Sequence, residues 1–322
     1  MSIDILCLGE LLVDMFPAEL GRRLADVSAF HPKPGGAPAN VAVAAARLGL
    51  RSAFIGKVGE DAFGRHLARV LAHEGVDVRG LCFDQEARTT LAFIAMPDPN
   101  HAEFVFYRNP GADLRLRPED LKPEQFTGLR AFHCGSVSLV DEPARSATLA
   151  GIQMARGVGA LVSFDVNYRP SLWGSPEEAL ACINQVAPQA DLLKVNEVEL
   201  KLLSGSDELE PASRSLLELG PALVVVTLGE QGSFYCARGA CGFVPAFRVK
   251  TVDAVGCGDA FIAGLLSRLV SQTDWHDLLT PTGLYAALHY ANAVGALTAT
   301  QLGVIPALPT ADQVDLFLKN NL

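Results

Sequence analysis

The sequence predicts an α/β protein: a mainly parallel sheet flanked by helices, with a small β-sheet lid. Three observations carry that prediction. Short β-branched apolar runs alternate with helical stretches, as at Ser52–Val58, Asp61–Glu74 and Val76–Phe83, which is the rhythm of parallel strands joined by crossover helices. Thr89–Met96 and Glu103–Arg108 break that rhythm by alternating like antiparallel strands around Pro97-Asp98-Pro99-Asn100. No repeat, low-complexity tract or linker divides the 322 residues, so one domain spans 1–322, with lid segments at about 16–34 and 89–108.

Composition narrows the function. Apolar residues make up 49% and charged residues 19%, enough for a large core. A net charge of −10 argues against nucleic acid or an anionic membrane as partner, so any phosphate site must be local. The seven cysteines show no C-x-x-C pair and no zinc spacing, and read as reduced thiols. The N-terminus lacks a basic region and soon meets Glu10 and Asp14, unlike a signal peptide, and the apolar stretch Leu284–Thr300 carries His289 and Asn292. A soluble, cytoplasmic protein is the expectation.

In chain order, Ile3–Leu8 reads as a buried strand, and the single Gly9 after it is no G-x-G-x-x-G dinucleotide loop. Asp14, near the end of this region, is either a polyol ligand or a solvated acid. Pro34-Gly35-Gly36-Ala37-Pro38-Ala39-Asn40 opens the helix Pro38–Leu48, with proline at its start and Gly49 past its end. The glycines allow close approach of a ligand, and Asn40 both donates and accepts hydrogen bonds. After the lid the rhythm resumes with strand Ala131–Cys134, helix Glu142–Val158, strand Ala160–Val166, helix Pro176–Val186 and strand Asp191–Val195. Polar clusters follow two strand ends, Asp165-Val166-Asn167-Tyr168-Arg169 and Asn196-Glu197-Val198-Glu199, although Asn196 also suits a helix cap. Leu223–Thr227 leads into a tight loop at Gly229 and Gly232 before strand Ser233–Cys236, and helices Thr282–Thr300 and Ala311–Leu318 close the chain.

The stretch Lys250 to Phe261 reads as the end of a β-branched strand, a turn with Gly256 and Gly258, and the apolar helix Ala260–Val270. Unpaired N–H groups and a partial positive charge at a helix start suit an anion. Asp259 there is either a capping residue or a general base beside a transferring phosphoryl group. Neither a Walker A sequence nor a protein-kinase motif set is present, so phosphoryl transfer would need other parts.

Gly35-Gly36-Ala37-Pro38-Ala39-Asn40 and Asp253-Ala254-Val255-Gly256-Cys257-Gly258-Asp259-Ala260-Phe261 resemble the two signatures of the ribokinase-like, or pfkB, carbohydrate kinases. The resemblance extends through Phe54–Asp61, Tyr107–Asp113, Asp165–Arg169 with Trp173, and Ala291–Ala293 through Pro309, and is closest to the fructokinases. It implies a Rossmann-like domain, ATP and Mg²⁺ as co-substrates, and transfer to a primary sugar hydroxyl, D-fructose at its 6-hydroxyl being the leading expectation. It makes Asp259 the base and Gly256, Cys257 and Gly258 the anion hole. Asp14, Gly35, Gly36 and Asn40 become sugar contacts, and Arg108 and Arg169 contacts to sugar or phosphate. Asn196 and Glu199 match the N-x-x-E element tied to magnesium and phosphate, with Glu199 acting indirectly. Thr227, Gly229 and Gly232 match the nucleotide loop, and Asn292 lies where adenine is approached. Ala254, Val255 and Cys257 depart from the usual Asp-Thr-Thr-Gly-Ala-Gly-Asp, removing two hydroxyls while leaving backbone donors. Carbonyls of Asp253 and Val255 are candidates for K⁺. The resemblance also implies a homodimer through the lid. The alternatives are a kinase for another sugar or sugar acid such as 2-keto-3-deoxygluconate, and a non-catalytic sugar- or nucleotide-binding sensor.

Overall fold

The computed structural model describes residues 2–19, 21–98 and 101–321. Strand β1 (Ile5–Leu8) alternates its side chains between two cores, Ile5 and Cys7 into one, Leu6 and Leu8 into the other. A strand covered on both faces therefore reads as a continuous apolar run. The chain then leaves the main sheet: β2 (Leu12–Pro17) pairs antiparallel with β3 (Phe30–Gly35) in a separate small sheet. Helix α1 (Ala37–Arg47), β4 (Ser52–Gly59), α2 (Ala62–His73) and β5 (Asp77–Asp84) return to the main sheet. β6 (Leu91–Asp98) and β7 (His101–Tyr107) complete the small one, in the order β3-β2-β6-β7. Residues 99 and 100 of the expected Pro-Asp-Pro-Asn turn lie outside the described residues.

The second half runs β8 (Ala131–Gly135), α3 (Ala144–Gly157), β9 (Leu161–Asp165), α4 (Pro176–Val186), β10 (Leu192–Asn196), α5 (Glu197–Ser204), α6 (Leu209–Leu217) and β11 (Leu223–Thr227). The antiparallel hairpin β12 (Gly232–Ala237) and β13 (Ala240–Pro245) precedes α7 (Cys257–Ser271), α8 (Pro281–Thr298) and α9 (Ala311–Asn320). The nine-stranded sheet has the order β13-β12-β11-β10-β9-β8-β1-β4-β5, parallel from β11 to β5. Helices α1, α2, α7 and α8 contribute to the core on one face, and α3 to α6 to the core on the other. Strand order reverses beside β1, between β4 and β8. A crevice opens at the carboxyl ends of the strands at such a point, and the small sheet springs from the end of β1.

Several expectations are corrected. Lys250–Val252 is no strand: the ladder ends at Pro245, which lacks an N–H, and Val252 donates its N–H to the Ala299 carbonyl at the end of α8. Cys236 and Cys241 are joined as a disulfide, because the β12–β13 register sets them directly opposite, a pairing that their spacing of five did not signal. Asp14 belongs to the small sheet, not to the end of the first strand, and the small sheet begins at Leu12. Among the described residues no helix is long and apolar enough to cross a membrane.

Candidate active site

A positive-φ glycine at the helix start distinguishes the crevice; α3 and α6, which start at Pro143 and Glu208, also lack a side-chain cap but have no such glycine. Helices α2, α4, α5, α8 and α9 are capped by side chains of Asp61, Ser175, Asn196, Thr280 and Thr310. The two helices that enter the crevice, α1 and α7, instead begin at Gly36 (φ 108°) and Gly256 (φ 80°), with no side-chain cap. At α7 the N–H groups of Gly258 and Asp259 are left for a ligand, whereas at α1 the Ala37 N–H is already taken by the Glu10 carboxylate. Cys257 N–H turns weakly to the Ala254 carbonyl at 3.4 Å, whereas Gly258 and Asp259 are the next donors along the turn. A side chain at Gly256 would meet Val304 at 2.2 Å, so packing and backbone conformation both require glycine there.

Asp259 lies in the first turn of α7 and accepts a 2.8 Å hydrogen bond from Asn40 Nδ2 on α1. That bond joins the two signatures. Burial raises Asp259 to about 6; the Asn40 bond and the charges of Lys194 and Arg169 oppose the shift, and Asp165 adds to it. Asp259 is therefore ionised at neutral pH yet a better base than a solvated aspartate. Asn40 Oδ1 is enclosed without a protein partner, an acceptor open to a hydroxyl.

Asp14 is buried close enough to Asp259 for the two charges to repel. Burial raises it to about 7, with repulsion from Asp259 and Glu10 adding to the shift and Arg169 opposing it. Glu10 is also raised to about 7 by burial, and its Oε1 accepts from Ala37 N at 2.9 Å, fixing the glycine loop. The loop's glycines are required by close approach: a Cβ on Gly35 would stand 1.9 Å from Asp14 Oδ2, and one on Gly36 would stand 2.4 Å from the Glu10 carbonyl. Arg169 is half-buried and, among the described residues, forms no ion pair; its Nη1 only approaches the Tyr168 carbonyl at 3.4 Å. Arg108 differs, because its Nε donates to Asp113 at 2.8 Å and its Nη2 to the Val137 carbonyl. Most of that guanidinium ties β7 to the main body, and only Nη1 is left without a partner.

On the other side of α7 a cavity of about 1040 Å³ is lined by Asn196, Thr227, Gly229, Gly232, Gly258 and Asn292 among others. It is large enough for a nucleotide. Asn292 Nδ2 donates to the carbonyls of Val244 and Pro245, pinning the end of β13 to α8. A Cβ on Gly232 (φ 126°) would meet the Val244 carbonyl at 2.2 Å. Asn196 and Glu199 form a reciprocal capping box, and the second oxygen of Glu199 accepts from Tyr168 N at 2.8 Å. Both Glu199 oxygens are thus held by backbone, and burial raises its pKa. Such a carboxylate acts on an ion only through the groups it positions, which fits Mg²⁺ arriving on a nucleotide's phosphates. Asp253 accepts from Val255 N and Gly303 N, which orients the loop carbonyls proposed for K⁺.

Sequence reading passed over Lys194, whose Nζ lies 3.0 Å from both oxygens of Asp165. A lysine in an otherwise apolar strand, two residues before Asn196, was the available signal.

A profile of the pfkB family carbohydrate kinases matches residues 2–311. Fructokinase-1 of Oryza sativa subsp. japonica is 47% identical over 96% of each chain. A fructokinase structure from Xylella fastidiosa with bound ATP superposes with a TM-score of 0.91 at 35% identity, covering 100% of this chain and 99% of that one. One from Vibrio cholerae O395 with fructose, ADP and calcium gives 0.88 at 36%, covering 99% of each. With Asp259 and Asn40 brought together near buried Asp14 and a nucleotide-sized cavity, these matches over the whole length establish that the chain belongs to the pfkB family of carbohydrate kinases.

Proposed function

We propose that this protein is an ATP-dependent fructokinase that converts D-fructose to fructose 6-phosphate. The observation that carries the reading is Asp259, held by Asn40 at the uncapped start of α7, with Asp14 buried near it and the large cavity on α7's other side. Full-length identity to fructokinases supports the choice of sugar.

In this mechanism Asp14, Asn40 and the Gly35-Gly36 backbone hold the sugar hydroxyls, with Arg108 Nη1 as a further donor. The 6-hydroxyl oxygen attacks the γ-phosphorus while Asp259 takes its proton, and the bond to the ADP oxygen breaks. The transition state is loose, so the base is needed late and moderate basicity suffices. N–H groups from Gly256 to Gly258 stabilise the charge that develops on the phosphoryl oxygens. Arg169, without a competing carboxylate partner, adds bidentate donors there. Asn196, Thr227, Gly229, Gly232 and Asn292 shape the nucleotide cavity. Asn196 and Glu199 order the backbone beside the nucleotide cavity, and Mg²⁺ bound with the nucleotide would supply neutralisation of its phosphate charge there.

A coupled assay of ADP release across a sugar panel, with ATP and Mg²⁺, tests the assignment. Fructose should give the highest kcat/KM; preference for a sugar acid would move the protein to another kinase activity, and no sugar-dependent ADP would favour a sensor. In the same assay Arg169→Ala should lower kcat, and replacing K⁺ by tetramethylammonium should lower it if the Asp253 and Val255 carbonyls hold that ion. Exposed Val105 and Tyr107 on β7, the edge of the small sheet, support a homodimer through that sheet. A monomeric mass by sedimentation at micromolar protein would reject the dimer.

A further inference from the structure

Lys194, in the middle of β10, is paired with Asp165 at the end of the neighbouring parallel strand β9. Both are buried, and two of the three ammonium N–H directions are taken by the two Asp165 oxygens at 3.0 Å. The ammonium also lies 3.3 Å from the position that a Cβ on Gly258 would occupy, against the start of α7. A helix start carries partial positive charge, so a buried cation placed against it is repelled unless an anion stands between them. Asp165 compensates Lys194 from the side of the sheet. Glu199 and Asp259, the latter in the first turn of α7, also attract the ammonium, but among the described residues neither accepts a hydrogen bond from it.

We propose that Lys194 is a further catalytic residue, whose remaining N–H donates to the γ-phosphoryl group as it passes from ATP to the sugar hydroxyl. The inference rests on the kinase reading of this site. Lys194 stays protonated throughout: the P–O bond to the sugar forms, the bond to ADP breaks, and the hydroxyl proton goes to Asp259. The full charge of Lys194 adds to the partial charges of the Gly256–Gly258 backbone, and Asp165 fixes its direction. Gly258 is then required partly because a side chain would crowd the ammonium.

The test uses Lys194→Met and the double variant Lys194→Met with Asp165→Asn, which removes the charge without leaving a buried carboxylate unpaired. Calorimetry without sugar measures binding of ADP and of the non-hydrolysable analogue AMP-PCP, and steady-state assays measure kcat. The double variant is expected to melt near wild type, to bind ADP within about threefold of wild type, to bind AMP-PCP at least about tenfold more weakly, and to lose about 10²–10³-fold in kcat. Lys194→Arg should recover part of both losses. Either of two results in a folded double variant overturns the proposal: kcat within about threefold of wild type, or ADP and AMP-PCP weakened equally. If no sugar is turned over by wild type, the fructokinase reading falls, while the ADP to AMP-PCP ratio still decides the contact of Lys194 with the terminal phosphate.

Discussion

Asp259→Asn should lower kcat with fructose by about 10³-fold or more while leaving the dissociation constant of the sugar within a fewfold of wild type. The amide oxygen can still accept from Asn40 Nδ2, so the link between α1 and α7 survives and only proton acceptance is lost. Wild-type kcat should fall as pH drops through about 6, where Asp259 becomes protonated, and the variant should lack that limb. Stability should move the other way. Because the folded protein raises this group from 3.8 to about 6, it binds more protons than the unfolded chain across that window, and stability declines as pH rises through it. Holding Asp259 ionised costs roughly 2 kcal/mol after allowance for its residual solvent contact. The variant should therefore melt roughly 4 °C above wild type at pH 8, the gap closing as pH falls towards 4. Turnover within tenfold of wild type would remove Asp259 from the role of base.

Gly35→Ala should raise the KM for sugar by about 10²-fold with little change in the KM for ATP. Its Cβ would stand 1.9 Å from Asp14 Oδ2, closer than atoms can approach. The obstructing atom is the end of an aspartate side chain, so Asp14 swings away and the fold is largely spared. What is lost is the native position of Asp14. Kinetics in both substrates, with a melt to show that the protein is folded, check this. A normal sugar KM in a folded variant would mean that Asp14 does not hold the sugar. Gly36→Ala is a different case, since its Cβ would meet backbone, the Glu10 carbonyl, at 2.4 Å and its φ is 108°. Loss of folded protein is expected there.

The alternation of apolar runs and helices was enough to reveal the parallel sheet, because strands buried on both faces must be continuously apolar and each crossover needs a helix. The two glycine-bearing stretches before Asn40 and Asp259 were legible for a similar reason, since few residues tolerate a positive φ at an uncapped helix start. Helix α6 and strand β13 were not read, and Lys250–Val252 was taken for strand, because β-branched residues in an extended loop look the same as in a ladder until a partner strand is known.

By itself the sequence determined the fold class, the two loops and the identity of the acid on α7. The contacts that give those groups a chemistry belong to the tertiary structure. Asn40 and Asp259 are 219 residues apart, and only the packing of α1 against α7 brings them to 2.8 Å. Lys194 is an isolated charge in an apolar strand until β9 sets Asp165 beside it. The raised pKa values of Asp14 and Asp259 likewise come from shared burial and mutual repulsion, which depend on distance through space and leave no mark in local sequence.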